Sequence, residues 1–160
     1  MSNTVVRGAD RIMFMSPTGL TGSNDHRMAF QTSHEKSSSR DANTTITKDG
    51  TQQSLSEVVV EYSLTTLMAT IDPVRNRLED AYLASPPGLI TFWDVDMTAP
   101  TPAGGNAFPA RQYEGYITDW SESAGAEDAV EISLSVAMNG AGVAGTVTLD
   151  TGRNRVTAFA

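Results

Sequence analysis

Residues 129–138 read Ala129-Val130-Glu131-Ile132-Ser133-Leu134-Ser135-Val136-Ala137-Met138. Val130, Ile132, Leu134, Val136 and Met138 alternate with Ala129, Glu131, Ser133, Ser135 and Ala137, so an extended chain here has one apolar face and one small or acidic face. A period of two this regular predicts a half-buried β-strand. Upstream, Arg111 to Ser121 alternates less cleanly, with Tyr116, Thr118 and Trp120 opposite Tyr113, Gly115 and Ile117. Downstream, Asn139 to Gly142 reads as a turn and Val143 to Leu149 as a third strand in succession. Between Gln112 and Thr151 stand Glu114, Asp119, Glu122, Glu127, Asp128, Glu131 and Asp150, with no Lys or Arg. The closing third is therefore an acidic β-surface, which repels phosphate and argues against gripping nucleic acid or anionic lipid.

Working back from that section, Glu57 to Leu67 places Val58, Val60, Tyr62 and Leu64 on one side of a second half-buried strand. The one convincing helix follows. Asp72 suits the N-cap and Pro73 the first helical position, Val74, Leu78, Ala81 and Tyr82 fall on one face, and Pro86-Pro87-Gly88 ends the run. Leu89 to Asp96 reads as a strand rich in aromatic and β-branched residues, followed by a Pro- and Gly-rich loop from Thr98 to Pro109. Residues 11–15 and 26–33 read as short strands around a turn-rich segment, able to pair as a loose hairpin. Residues 34–56 are Ser, Thr, Asn, Gln and charge, with Ile46 and Leu55 almost the only large apolar groups. Such a segment buries little alone and reads as a loop or as an arm that becomes ordered against another subunit. Residues 150–160 read as a short tail without an element of its own.

At 160 residues the prior is one domain, 1–160, large enough to bury a core. The net charge of −8 is uneven: residues 1–48 are mildly positive and the C-terminal third strongly negative, so copies could attract one another head to tail. There is no cysteine, hence no disulfide, thiolate zinc site or cysteine nucleophile. The N-terminus lacks the apolar core of a signal peptide, and no apolar run approaches the ~20 residues of a spanning helix. The expectation is a soluble protein synthesised in the cytoplasm.

No constellation assembles an active site. His26 and His34 lack a third spaced ligand and read as solvated loop residues rather than a metal site. Asp94 and Asp96 share one strand face and could hold a cation or act as an acid/base pair; the plainer reading is solvated charge where a strand meets a loop. No nucleophile elbow, dinucleotide fingerprint or phosphate loop occurs. Tyr113, Tyr116 and Trp120 sit among negative charge, which suits core or interface aromatics better than a base-stacking platform. The expectation is a non-enzyme with no cofactor and no metal.

The ordered series Ser39-Arg40-Asp41-Ala42-Asn43-Thr44-Thr45 running to Lys48-Asp49-Gly50, Leu78-Glu79-Asp80-Ala81, Phe92-Trp93-Asp94-Val95-Asp96, Tyr113 with Gly115-Tyr116-Ile117, Ala126-Glu127-Asp128 and Asn139-Gly140 resembles the major tail proteins of long-tailed, noncontractile bacteriophages. The likeness covers roughly residues 9–149; the insert at 98–109 and the tail after Asp150 have no counterpart. It implies a mainly β tail tube fold, a β-sandwich or open barrel with one flanking α-helix. It further implies hexameric rings stacked into a hollow tail tube of the virion, a conduit for DNA ejection. Partners implied are a tape-measure protein inside the tube and terminator and distal tail proteins at its ends, with viral DNA passing through without specific binding and no membrane contact. Candidates for an acidic lumen are Glu114, Glu122 and Glu131. Candidates for inter-subunit arms are Arg40, Asp41, Lys48 and Asp49 in the polar segment at about 34–56, Arg153 and Arg155 in the C-terminal tail at about 150–160, and the N-terminus. The competing reading is a β-sandwich tail accessory that binds carbohydrate or a host surface through Trp93, Tyr113 or Trp120; exposed aromatics in a concave patch would favour it.

Overall fold

The elements along the chain are β1 (Arg11–Ser16), β2 (Gln31–Ser39), β3 (Ala42–Thr47), β4 (Gly50–Leu55), β5 (Val59–Leu67), α1 (Pro73–Leu83), β6 (Ile90–Asp96), β7 (Ala107–Ser123), β8 (Glu131–Met138), β9 (Val143–Leu149) and β10 (Val156–Phe159). They come from a computed structural model that describes residues 5–22, 24–98, 100 and 105–160. Eight strands form one antiparallel sheet in the order β1-β6-β7-β8-β5-β2, with β9 on β7 and β10 on β9; β3 and β4 pair only with each other.

The alternation in β8 fixes its orientation. Ile132, Leu134, Val136 and Met138 are buried, and β5 answers opposite them with Thr66, Leu64, Tyr62 and Val60. β7 explains its own imperfect pattern. Its register slips between Ile117 and Asp119, so one extra residue, Thr118, turns Trp120 inward opposite Leu134 and Asp119 outward opposite Ser135. The helix starts where the sequence placed it: the Arg75 N–H donates to Asp72 Oδ1 at 3.2 Å, and Val74 and Leu78 are buried in the hollow of the sheet.

That hollow is an open barrel, because the two ends of the six-strand path approach each other. The Met15 N–H donates to the His26 carbonyl, and Phe14 bridges Arg27. The Gln31 side chain then stands in for a ladder rung: its Oε1 accepts from Met13 N at 3.1 Å and its Nε2 donates to Met13 O at 2.8 Å. The expected hairpin of 11–15 with 26–33 is thus reduced to one bridge and one amide side chain. The second segment breaks at Phe30, where φ is 55°, and β2 leaves for the opposite edge to pair with β5.

Two cores result. The inner one, around Met13, Met15, Tyr62, Phe92, Tyr113 and the β8 residues, is covered by α1. The outer one, Phe14, Trp93, Val95, Phe108, Val147 and Leu149, lies on the other face of β1, β6 and β7 and includes Val156 of β10. The tail after Asp150 therefore does have an element of its own, since a strand beginning at buried Val156 completes this second core. Asn139–Gly142 likewise does not reverse the chain. β8 pairs with Gly115–Ser123 and β9 with Ala107–Gln112 along the same edge of β7, so the two run on in one direction across a kink. Gly140 and Gly142 adopt positive φ there, and a Cβ on Gly142 would lie 2.7 Å from Gln112 O and the Tyr113 ring.

The polar segment divides. Residues up to Ser39 belong to β2 in the main sheet, whereas β3–β4 forms a hairpin in which every residue is exposed. Its base is tied by Ser56 N–H to Asp41 O at 2.8 Å and Asp41 N–H to Ser56 Oγ at 2.9 Å. Of the Pro-rich insert, 99 and 101–104 lie outside the described residues, as do positions 1–4 of the N-terminal arm; Ala107–Pro109 opens β7.

Candidate functional site

Strand parity separates two faces on β2, β5, β8 and β7. Opposite the inner core stand Ser33, Glu35, Ser37 and Ser39 of β2, and Glu61, Ser63 and Thr65 of β5. Glu131, Ser133, Ser135 and Ala137 of β8 follow, then Glu114, Tyr116, Asp119 and Ser121 of β7. Glu35, Glu61, Glu114, Asp119 and Glu131 give this face its charge, and none of its side chains is Lys or Arg. The rest is Ser, Thr and Ala with few apolar groups, a hydrated surface that has no cation for a phosphate.

Glu114 and Glu131 therefore share a face and Glu122 does not. Beyond the bulge, Glu122 follows Trp120 to the helix side, accepts from Trp120 Nε1 at 3.1 Å and lies 3.9 Å from Arg75 Nη1. Glu35, Glu61 and Asp119 take its place. The period-two pattern of Val60-Glu61-Tyr62 contained that information for Glu61; a bulge has no such signature, and it decides Asp119.

The arm candidates also separate. Arg40 and Asp41 stand at the base of the exposed hairpin and Lys48 and Asp49 at its tip, all exposed. Arg153 and Arg155 are engaged within the chain. Arg153 Nε donates to Asn106 Oδ1 at 3.2 Å and its guanidinium lies over the Phe108 ring, while Arg155 Nη1 donates to Gly22 O at 3.3 Å.

Asp94 is buried rather than solvated. Its Oδ2 receives Arg11 Nη2 at 2.9 Å and Tyr62 Oη at 2.8 Å, and His34 Nε2 lies 3.6 Å from Oδ1. Burial alone would raise its pKa, but His34, Tyr62 and the Arg11 guanidinium together outweigh burial and hold it down at about 2. Tyr62 moves the other way: burial, then its hydroxyl neighbour Tyr113 and the Asp94 charge, push its pKa up. The cation that Asp94 and Asp96 were suited to hold is the chain's own Arg11, whose Nη1 is 4.0 Å from Asp96. Among the described residues no group of three or more His, Cys, Asp or Glu is arranged to hold a metal ion.

The histidines are not solvated loop residues either. His26 is 2 % exposed, stacks on Trp93 with ring centres 5.3 Å apart, and accepts the Val156 N–H at Nδ1, 3.1 Å. Burial first, then Arg77 and Arg155, lower its pKa to about 4, so it is neutral and ties β10 to the body. Neither histidine announced its burial in sequence, because both partners come from distant strands. A cleft of about 520 Å³ lies beside Arg11, Arg27, Gln31 and His34.

Trp93 and Tyr113 are buried and Trp120 packs half-buried against Tyr82 with ring centres 6.3 Å apart, so the aromatic set does not form an exposed binding patch. Only Tyr116 of the group is on the acidic face, 37 % exposed.

Residues 5–144 match the family model described as phage tail tube protein. No curated protein matches the chain. Among solved structures, the SPP1 tail tube, determined by solid-state NMR and cryo EM, superposes with a TM-score of 0.67 at 20% identity, covering 88% of this chain and 78% of that one. The tail of an empty gene transfer agent (GTA) particle, refined helically with C6 symmetry, gives 0.62 at 12% identity over 86% of this chain and 96% of that one. The native GTA virion gives 0.62 at 11% identity over 86% and 97%.

Proposed function

The chain belongs to the phage tail tube protein family, and from that premise we propose that its copies join edge to edge into six-membered rings whose acidic faces line a bore through which DNA is ejected. The observation that carries this is the pair of open edges bounding the acidic face. β6 leaves β7 at Gly115, so among the described residues Tyr116–Ser123 has no backbone partner on the side away from β8, and β2 has none beyond β5 over Ser33–Ser39. β2 and β8 run one way and β5 and β7 the other, so β2 of one copy meets β7 of the next antiparallel. Ring closure removes both edges and leaves a continuous wall.

The C6 symmetry of the GTA tail supports six copies. Six times four strands at ~4.8 Å spacing give a circumference of roughly 115 Å and a bore about 37 Å across between backbones, wide enough for duplex DNA. With Ser, Thr and carboxylates inward, phosphates meet no neutralising cation, and counterion release, the source of non-specific affinity, is absent. The chemistry required of the subunit is association without catalysis. Its place is the virion tail, after synthesis in the host cytoplasm, with a tape-measure protein in the bore during assembly and terminator and distal tail proteins at the ends. The exposed β3–β4 hairpin, with Arg40, Asp41, Lys48 and Asp49, reaches neighbouring copies.

Electron microscopy of the purified protein over a concentration series tests this. Hollow tubes or rings with the β2–β7 face inward are expected. A persistent monomer, even after addition of tail-initiation proteins, or a bore lined by Lys and Arg, overturns it.

A further inference from the structure

We infer that the corner formed by Phe30 and Ile71 is the seat for the β3–β4 hairpin of a second copy, which lays its Ile46–Leu55 face on it. This rests on the ring reading above and specifies how one ring meets the next.

Phe30 is the first observation. It is 66% exposed, and its φ of 55° is one that bulky L-residues rarely adopt. The subunit alone gains nothing from an aromatic ring that is both hydrated and set on a strained backbone; backbone strain of this kind gathers at recognition sites. The corner is also held in place. Phe30 O accepts from Leu67 N at 3.0 Å, and the neighbouring Ala29 N donates to Asp72 Oδ2 at 3.2 Å. Ile71, 83% exposed, precedes that same aspartate, so two large apolar side chains flank one fixed junction.

The hairpin supplies the complement. Register puts Ala42, Thr44 and Ile46 on one face with Leu55, Gln53 and Thr51, and Asn43, Thr45 and Thr47 on the other with Ser54, Gln52 and Gly50. Ile46 is 85% and Leu55 62% exposed, so one face is apolar in part and uncovered while the other is wholly polar. An isolated two-stranded hairpin is marginal in water, and a one-sided apolar face indicates which side is covered. The charges at its base and tip flank this face rather than form it.

Position selects the partner. β2 begins beside Phe30 and ends at Ser39, where the arm departs, and β5 returns from Val59 to Leu67. The corner and the arm thus lie at opposite ends of one ribbon nine residues long, and the arm cannot fold back onto its own corner. Such a contact between copies is heterologous and propagates along the ribbon, as stacking of rings requires.

The chain has no cysteine, so introduced pairs report cleanly. In assembled tubes, the oxidised double variant Phe30→Cys/Ile46→Cys should give a ladder of covalent multimers on denaturing gels, with neither single variant doing so. Tubes without a ladder, a product that stops at dimer, or a ladder formed within isolated single rings would each overturn the contact. Phe30→Gly is the second arm of the test. Glycine suits this φ, so the melting temperature should hold or rise while the concentration needed for tubes rises at least tenfold; assembly at the wild-type concentration would overturn the inference. Wild-type protein that forms no rings under any condition would instead remove the ring premise.

Discussion

Replacing Asp94 with Asn keeps the side chain's size and leaves an amide oxygen for Tyr62 and Arg11, but removes the charge. Asp94 sits at about 2 against an ordinary 3.8, and at ~1.4 kcal/mol per unit that difference contributes about 2 kcal/mol to folding at neutral pH. The sign follows from the direction. A carboxyl held down in the folded state stabilises it fully above 3.8, and the advantage drains away as pH falls through about 2, leaving roughly half a kcal/mol there. Arg11 is 39% exposed, so solvent shares its charge and the loss should stay below that of a fully buried pair. Urea unfolding of the unassembled subunit, followed by tryptophan fluorescence at pH 7 and at pH 2, reads this directly. We expect Asp94→Asn to be about 2 kcal/mol less stable at pH 7 and nearly equal at pH 2. A gap of the same size at both pH values would show that the folded protein does not depend on an ionised Asp94, and would refute the ion-pair account.

His26 works in a different window: its folded pKa of about 4 lies below 6.5, so the unfolded chain takes up the proton first and wild-type stability should fall by about 3 kcal/mol between pH 6.5 and 4. His26→Gln should flatten that part of the stability profile, and an unchanged slope would remove His26 as its source. Gly115→Ala would drive a Cβ into the Ala137 carbonyl and to 2.9 Å from Met138 Cα, a backbone collision that should cost upwards of about 3 kcal/mol and be visible as a lost or sharply lowered melting transition. Removing residues 42–55 and joining Asp41 to Ser56 should change subunit stability by less than about 0.5 kcal/mol, because the hairpin is exposed throughout, while abolishing tubes in the microscope. The pair Glu61→Lys and Glu131→Lys should leave tubes intact but make them retain short duplex DNA at low salt and release it as salt rises; tubes that stay inert would count against that face lining the bore.

The parts of the fold that were legible are those where one local signal decides one local outcome. The period of two in 129–138 fixed both strand and face, and Asp72-Pro73 marked the helix start to the residue. The rest of the fold depends on pairing at a distance. The glycines of 139–142 carry a turn signature whether the chain reverses or merely kinks, and only the long partner β7 decides which. Asp94, His34, Tyr62 and Arg11 come from four different strands, and none of them has a neighbour in sequence that reveals the cluster. Glu122 parts from Glu114 and Glu131 for a similar reason, since one inserted residue inverts every side chain beyond it.

β7 pairs with β6, β8 and β9 and contributes Phe108 to one core and Tyr113 and Ile117 to the other. Neither core can open while that strand stays in place, so its central amides should exchange with deuterium only through global unfolding, and the two halves should melt as one cooperative unit. The seam between β1 and β2 is different in kind. There one glutamine side chain replaces a ladder, and amide protection should drop to the level of a local fluctuation. A subunit built this way has a single stiff spine and one side that can breathe, which lets it adjust to a neighbour without giving up its fold.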